Sequence, residues 1–411
     1  MHISPRKEGE CADRRISQTP RALRAASRGS ELPLYPSTGA HAEPPDKSIS
    51  YHYQLGYLTT TKGEGMLITV LIFGFLFGSI LQYARLNRYD TISGMATLEN
   101  LAVAKAIAVA IGFGAILINV EIALGFASYH PKPFLLGGIV LGGLIFGAGM
   151  AILGYCPGTL AISLGEGSLD ALTGIVGGLL GGLVYTLLLP VIHTILRPDY
   201  GSITLNSLVR NRVLFFVLVF VFGAGLIVLS FWLHKLERTK DMKWFFSGIA
   251  LAPLNAIVFL SATSNRPIGA STSYPYLADL LSGTTNNDYF SKIQTPGHWE
   301  VIFLAGAFLS GLGLSLIRKG FKLTLIYDNW RKHKGASVGG RIIWSFVGGF
   351  ILIFGARMAG GCTSGHVLSG GMQIDISSLI FAIFVFAGLL ITGRLFYGAI
   401  TPGWRTDSEP L

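Results

Sequence analysis

Nine stretches of this chain, near 66–83, 101–127, 134–153, 169–196, 213–233, 244–261, 300–317, 339–359 and 376–397, are almost free of charge. Each is about 20 residues long, enough for a helix to cross roughly 30 Å of hydrocarbon. Inside a bilayer no water bonds to the peptide groups, so a spanning segment must be a helix or part of a closed barrel. The runs are continuously apolar and do not alternate with period two, which selects helices. Composition agrees: 13% of the 411 residues are charged, against about 25% in soluble domains. The chain therefore reads as an all-α integral membrane protein with about nine transmembrane helices. Its glycines recur at neighbouring helical positions in "GGIVLGGLIFGAG" and "GIVGGLLGGLVY", where small residues let helices approach closely.

Residues 1–55 differ. They are polar, rich in Arg, Ser and Pro, and lack an apolar period, the composition of a disordered basic tail. Glu8, Glu10, Asp13 and Glu31 count against an organelle transit peptide, a class poor in acids. Residues 56–411 form the polytopic membrane domain. The tail carries part of the +10 net charge, so that charge gives no argument for nucleic acid; the expected partner is the lipid bilayer. Cys11, Cys156 and Cys362 are too few for a disulfide framework and leave the compartment open.

Four segments between the spans, 85–96, 156–167, 268–283 and 362–373, are too short to cross and rich in glycine and small polar residues. They fit re-entrant segments, which are tolerated where they are buried in protein or line a cavity; plain turns outside the membrane are the alternative. The two halves also resemble each other. "IFGAGMAILGYCPGT" (145–159) and "IFGARMAGGCTSGH" (353–366) share an IFGA-x-MA opening and then a cysteine, with a two-residue gap. Repeat one is about 66–196, a linker span is 213–233, and repeat two is about 244–397. Four spans, one linker span and four more spans invert the second group relative to the first, an architecture of transporters with the site near the midplane. The Cys156 and Cys362 loops then enter from opposite faces and meet mid-membrane. The face carrying Arg85, Arg88, Lys235, Arg238, Lys240, Lys243 and the run from Arg318 to Arg341 is the more basic. The positive-inside rule makes it cytoplasmic, with the N-terminus outside and the C-terminus inside.

The residues that carry chemistry lie in those loops. In "GYCPGTL", Pro157 suits the first turn of a helix, whose free N–H groups, near Cys156, Gly158 and Thr159, favour an anion. In "GGCTSGH", Thr363 and Ser364 can cap a second short helix after Cys362, and Gly365 lets the backbone come close to a ligand. Two helix N-termini converging at the midplane make a donor-rich spot for a small anion. The bland alternative is a pair of small buried hydrophobes. Burial raises a thiol's pKa, so both cysteines are expected to act as neutral thiols, whose weak contacts suit conduction. His366, four residues after Cys362, is half of a metal site at most, and a hydrogen-bonding histidine is the preferred reading; no metal and no cofactor are expected. Charges inside spans face partners or pathways. Arg357 is the candidate for anion attraction, an ion pair with Glu121 being the alternative. Ser271, Thr272 and Ser273 in "GASTSYPYLADLL" offer hydroxyl donors for a second stopping point.

These motifs resemble those of the YeeE/YedE family of sulfur-compound transporters. The resemblance covers roughly 65–400 and rests on "GYCPGT", "RMAGGCTSGH", "RPIGASTSYPYL" and "LQYAR". It implies thiosulfate uptake through a pathway whose central cysteines, here Cys156 and Cys362, contact the ion's sulfur. It also implies a further cysteine shortly after the LQ-x-x-R element, where this chain has Asn87. The expected function is transport of thiosulfate or a related small sulfur anion in the plasma membrane, without enzymatic chemistry, and a soluble sulfur-carrier protein is a candidate partner. Two other readings use the same cysteines: a soft-metal-ion carrier, for which the seven methionines show no clustering, and a membrane sulfur-transfer partner, which needs a reactive thiolate and a nearby base.

Overall fold

In a computed structural model, residues 61–398 are described, apart from residue 238. The expected tail at 1–55, with Cys11, and Arg238 lie outside the described residues. The chain runs through α1 (Thr61–Tyr83), α2 (Tyr89–Ala96), α3 (Ala102–Ala123), α4 (Leu136–Leu153), α5 (Pro157–Gly165) and α6 (Leu169–Leu196). A one-turn helix, α7 (Leu205–Leu208), leads into α8 (Arg212–Glu237). Then follow α9 (Lys243–Phe259), α10 (Ser273–Ser282), α11 (Asp288–Ile317), α12 (Asp328–Lys334), α13 (Val338–Met358), α14 (Thr363–Gly370) and α15 (Ile376–Tyr397). The described residues hold no strand, only isolated bridges.

Among the described residues, eight helices are long and apolar enough to cross a membrane. The ninth expected span is the 17-residue α9, at the short end of what spans hydrocarbon. All four segments expected to be re-entrant contain short, largely buried helices: α2, α5, α10 and α14.

The helix pairings follow one rule. α13 packs on α6, and α4 packs on α15; α1 packs on α11, and α3 on α9; α4 and α13 pack on each other at the centre. Exchanging α1–α6 for α9, α10, α11, α13, α14 and α15 maps these pairings onto themselves. Close approach between backbones makes them possible. A Cβ on Gly349 of α13 would stand 2.0 Å from the Gly174 carbonyl oxygen of α6, and one on Gly147 of α4 would stand 2.2 Å from that of Val385 on α15. Only glycine permits either contact.

Hydrogen bonds tie the connections into two ends. At one end Asn329 N donates to Asp90, Leu169 N to the Thr324 carbonyl, and Lys332 pairs with Glu99. At the other, His130 N donates to Gln373, Ser261 N to the Phe126 carbonyl, and Leu205 N to the Ile374 carbonyl. The first end carries most of the connecting-segment cations, as the sequence partition has it.

Candidate functional site

Each half sets one cysteine just ahead of a short buried helix. In the first, Gly154 closes α4 with φ 76°, the left-handed region that favours glycine. Pro157 takes the first position of α5, where its missing N–H costs nothing. Thr159 Oγ1 accepts from Cys156 N at 2.9 Å and donates to the Cys156 carbonyl at 3.0 Å, closing the turn. Beneath it lies a fully buried ion pair, Arg341 Nη2 to Asp170 Oδ2 at 2.6 Å. Arg341 also donates to the Leu153 carbonyl at 2.8 Å, satisfying one of the free carbonyls that end α4. Tyr155 OH donates to the same carboxylate at 3.1 Å, and the guanidinium lies 4.1 Å from the Tyr89 ring centre.

The second half is built otherwise. Gly360 ends α13 with φ 79°, and α14 begins at Thr363 as a π-helix. Such wide turns are rare and occur mostly in short pieces at functional sites. Cys362 is 1% exposed, with its Sγ 3.2 Å from Ser364 Oγ. It stands at the N-cap position without a side-chain cap bond, so the expected capping by Thr363 or Ser364 is not what starts this helix. His366 braces the turn from inside: Nε2 donates to the Ala359 carbonyl at 2.9 Å, and Nδ1 is 2.9 Å from Ser378 Oγ. Ser378 in turn bonds Asp375 Oδ2 at 2.7 Å. With both ring nitrogens engaged, His366 offers no lone pair to a metal, and no group of three or more metal-ligating His, Cys, Asp or Glu residues occurs among the described residues.

The two cysteine segments form one layer, since Cys156 and Thr363 line the same cavity, and Tyr274 ties in by donating its hydroxyl to the Pro157 carbonyl at 3.2 Å. On one side of this layer, Cys156, Thr159, Thr363 and Ser364 border a cavity of about 470 Å³ whose remaining walls are apolar. On the other, Cys362 and Gly365 border a cavity of about 20 Å³ with Lys132, Arg266, Thr272 and Glu300. That space suits about one water. The two cavities share no lining residue, although Cys362 and Thr363 are neighbours in the chain. Gly158 is not sterically required, since a Cβ there would make ordinary contact with Phe77 at 3.5 Å.

Arg357 lies behind the small cavity, 7% exposed. It donates from Nε to Tyr289 OH at 2.8 Å and from Nη1 to Ser271 and Thr272 hydroxyls at 3.3 and 3.1 Å. It pairs with no carboxylate among the described residues, so the alternative pairing with Glu121 is not formed. Ser273 is differently engaged, donating to the Ala270 carbonyl at 2.7 Å. The N-terminus of α10 already holds an anion of its own: Glu300 Oε2 accepts from Thr272 N at 2.6 Å and Ser273 N at 3.2 Å. Arg266 Nη2 is 3.9 Å from Glu300 Oε1. Lys132 Nζ has no hydrogen-bond or ion-pair partner among the described residues. Three cations thus surround one carboxylate next to Cys362, an excess of positive charge in a nearly closed space. Sequence reasoning gave no role at the site to Lys132, Arg266, Glu300 or Tyr274. Tyr274 at least stood inside a motif already singled out.

Together the long apolar helices and the short buried helices packed among them define an integral multi-pass membrane protein. Residues 84–391 match the family described as Sulphur transport, and the chain belongs to that family, in agreement with the YeeE/YedE resemblance. It is 24% identical over 339 residues to a thiosulfate transporter, TsuA, of Spirochaeta thermophila, covering 79% of this chain and 97% of that protein. It is 22% identical over 363 residues to the thiosulfate transporter TsuA of Escherichia coli, covering 81% and 95%.

Proposed function

We propose that this chain carries thiosulfate through the bilayer by way of the layer formed by Cys156 and Cys362. The observation that carries the reading is the cation excess beside Cys362. A buried guanidinium bonded only to neutral hydroxyls is costly to keep, and a dianion arriving at the small cavity, which must widen from the size of one water to admit it, offsets that cost. Lys132 and Arg266 draw the ion in. The Ser271 and Thr272 hydroxyls, which accept from Arg357, keep their own hydrogens free to donate to it. At the layer, the start of α14 offers backbone N–H groups to the oxyanion end, and the thiols meet the terminal sulfur with soft, weak contacts that allow it to leave. His366 acts through the turn it braces. The exchange symmetry of the helix pairings supports reading the two halves as inverted repeats, so that the cysteine segments enter from opposite faces. With the cation-rich end in the cytoplasm, the Cys362 cavity faces outward, as uptake across the plasma membrane requires.

The test is growth of a host unable to assimilate other sulfur sources on thiosulfate alone, with uptake of labelled thiosulfate by vesicles containing the purified protein. Expression of the chain restores growth and gives saturable uptake that sulfate does not match. Restored growth without uptake by the purified protein, or uptake of sulfate at an equal rate, would overturn the reading.

A further inference from the structure

The large cavity below Cys156 is unsuited to an anion along nearly all its length. Its walls are Leu, Ile, Val, Phe, Ala and Met, mostly from α1, α2, α3, α4, α8, α9, α14 and α15, and only the end at Cys156, Thr159, Thr363 and Ser364 is polar. A dehydrated dianion finds no donors there, and a void of about 470 Å³ left empty forfeits the dispersion contacts of every wall. What fills it must be apolar.

The surroundings indicate what that is. α8 presents Phe222, Leu226, Leu229 and Leu233 to the cavity, and α15 presents Leu379, Ala382, Val385 and Phe386. α8 packs along α3 and α15 along α4, and these two walls do not pack along one another. At the end near Asp375, Phe222 of α8 and Leu379 of α15 pack against one cluster with Phe215, Val219 and Ile374, which brings the two walls together there. Further down, Leu229 and Phe386 both line the cavity and are 43% and 37% exposed, which makes the space between α8 and α15 there the side entrance of the proposal below. The last turns of the two flanking helices carry exposed cations at the same end of the bundle, Lys235 on α8 and Arg394 on α15.

We propose that this cavity is a lipid site: an acyl chain of an anionic phospholipid enters between α8 and α15 and ends beneath Cys156, its phosphate held by Lys235 and Arg394. Burying methylenes contributes about 0.8 kcal/mol each, and basic residues at the membrane surface favour acidic headgroups. If the transport reading also holds, the chain is an apolar plug on the inner side of the thiol layer, and the ion leaves only when the plug shifts. The lipid site itself does not depend on that reading.

The full-length protein in vesicles of phosphatidylcholine and phosphatidylglycerol, with a trace of phosphatidylglycerol bearing a photoreactive group near the end of its acyl chain, tests this without a transport assay. Irradiation followed by peptide mapping should place adducts on Met95 and Met150, cavity residues that surface lipid does not reach, as well as on outward-facing Phe220 and Val228. Filling the cavity with Ala108→Phe and Ala382→Phe should cut the Met95 and Met150 adducts at least tenfold and leave those at Phe220 unchanged. Lys235→Gln with Arg394→Gln should cut the deep adducts several-fold, and the same probe on phosphatidylcholine should label the deep positions several-fold less in wild type. No deep adducts in wild type would overturn the lipid site. Equal deep labelling by the two headgroups would overturn its anionic character. Loss of uptake with deep adducts intact counts against the transport reading alone.

Discussion

The Cys156 and Cys362 segments occupy matching places in two halves that share a sequence motif, yet they are held and surrounded by different chemistry. The Cys156 turn is locked from below by ions: Arg341 and Asp170, both fully buried, with two α4 carbonyls also taking guanidinium hydrogens. The Cys362 turn is held by neutral hydrogen bonds through His366 and Ser378, and its helix is the wider π form. Cys156 looks into an apolar cavity; Cys362 looks into a cation-lined one. Matching places in the fold therefore do not make the two thiols equivalent. A rigid turn beside an apolar chamber suits a barrier, and a more loosely braced turn beside positive charge suits a place where an anion is received.

The sharpest way to break the comparison is through the braces. Arg341→Met removes one partner of a fully buried ion pair and leaves Asp170 without a cation, which should cost about 3–5 kcal/mol. Thermal unfolding in detergent should show the loss, together with a fall in the yield of inserted protein. A variant as stable as wild type would mean that the pair does not lock the Cys156 turn.

The next effect separates the thiols. Cys362→Ala keeps the backbone donors of α14 but removes the sulfur contact, and thiosulfate uptake should fall at least tenfold, about 1.4 kcal/mol of lost stabilisation. Cys362→Ser retains a donor but replaces a soft atom with a hard, better-hydrated one, and it should fail nearly as badly. Cys156→Ala should lose less, since no cation lines that cavity to gather the ion at the thiol. Equal losses at the two positions would make the thiols interchangeable, and near-normal uptake by the serine variant would show that a donor is enough.

Much of this layout was readable in the chain. A run of 20 apolar residues has few alternatives to a spanning helix, and glycine-rich intervals too short to span had to be either turns or re-entrant segments. The repeated IFGA-x-MA opening singled out the two cysteines. Contacts between distant segments were less accessible. Lys132 looked like an ordinary loop lysine because nothing local records that residues 132, 266, 300 and 357 converge. Glu300, at the edge of an apolar run, gave no sign that it fills the N-terminus of α10. Ser273 was grouped with its neighbours, yet its hydroxyl turns back to the Ala270 carbonyl, a local choice that composition does not reveal. The ionic brace was equally hidden: Asp170 and Arg341 are 171 residues apart.

Lys132 sharpens the electrostatic side of the comparison. Lys132→Gln removes one of three cations while leaving the packing of the half-buried loop nearly intact. The concentration of thiosulfate giving half-maximal uptake should rise about three- to tenfold with little change in the maximal rate, the mark of binding lost equally from ground and transition states. Higher salt should narrow the difference between wild type and variant by screening the exposed part of the attraction. An unchanged half-saturation value would remove Lys132 from the receiving site.

The smallest effect should come from Ser378→Ala, because it tests the neutral brace. His366 Nε2 must be the donor to Ala359, since a carbonyl only accepts, so in the neutral ring Nδ1 is an acceptor. The single hydroxyl hydrogen of Ser378 serves either Nδ1 or Asp375 Oδ2. Removing it leaves Asp375 with the Ser377 hydroxyl at 2.8 Å and Lys132 N at 3.3 Å, so the carboxylate stays partnered while Nδ1 does not. One neutral acceptor left bare costs about 1–3 kcal/mol at most, and the expected loss is near the lower bound because Gly370, against which Ser378 packs, leaves the backbone free to adjust. Uptake should change less than threefold. Two measurements on the same protein decide the matter, the unfolding midpoint and the uptake rate, each set beside Arg341→Met. A Ser378→Ala variant destabilised as much as Arg341→Met would show the second turn to be as tightly locked as the first, and the contrast between a rigid barrier and a yielding receiver would fail.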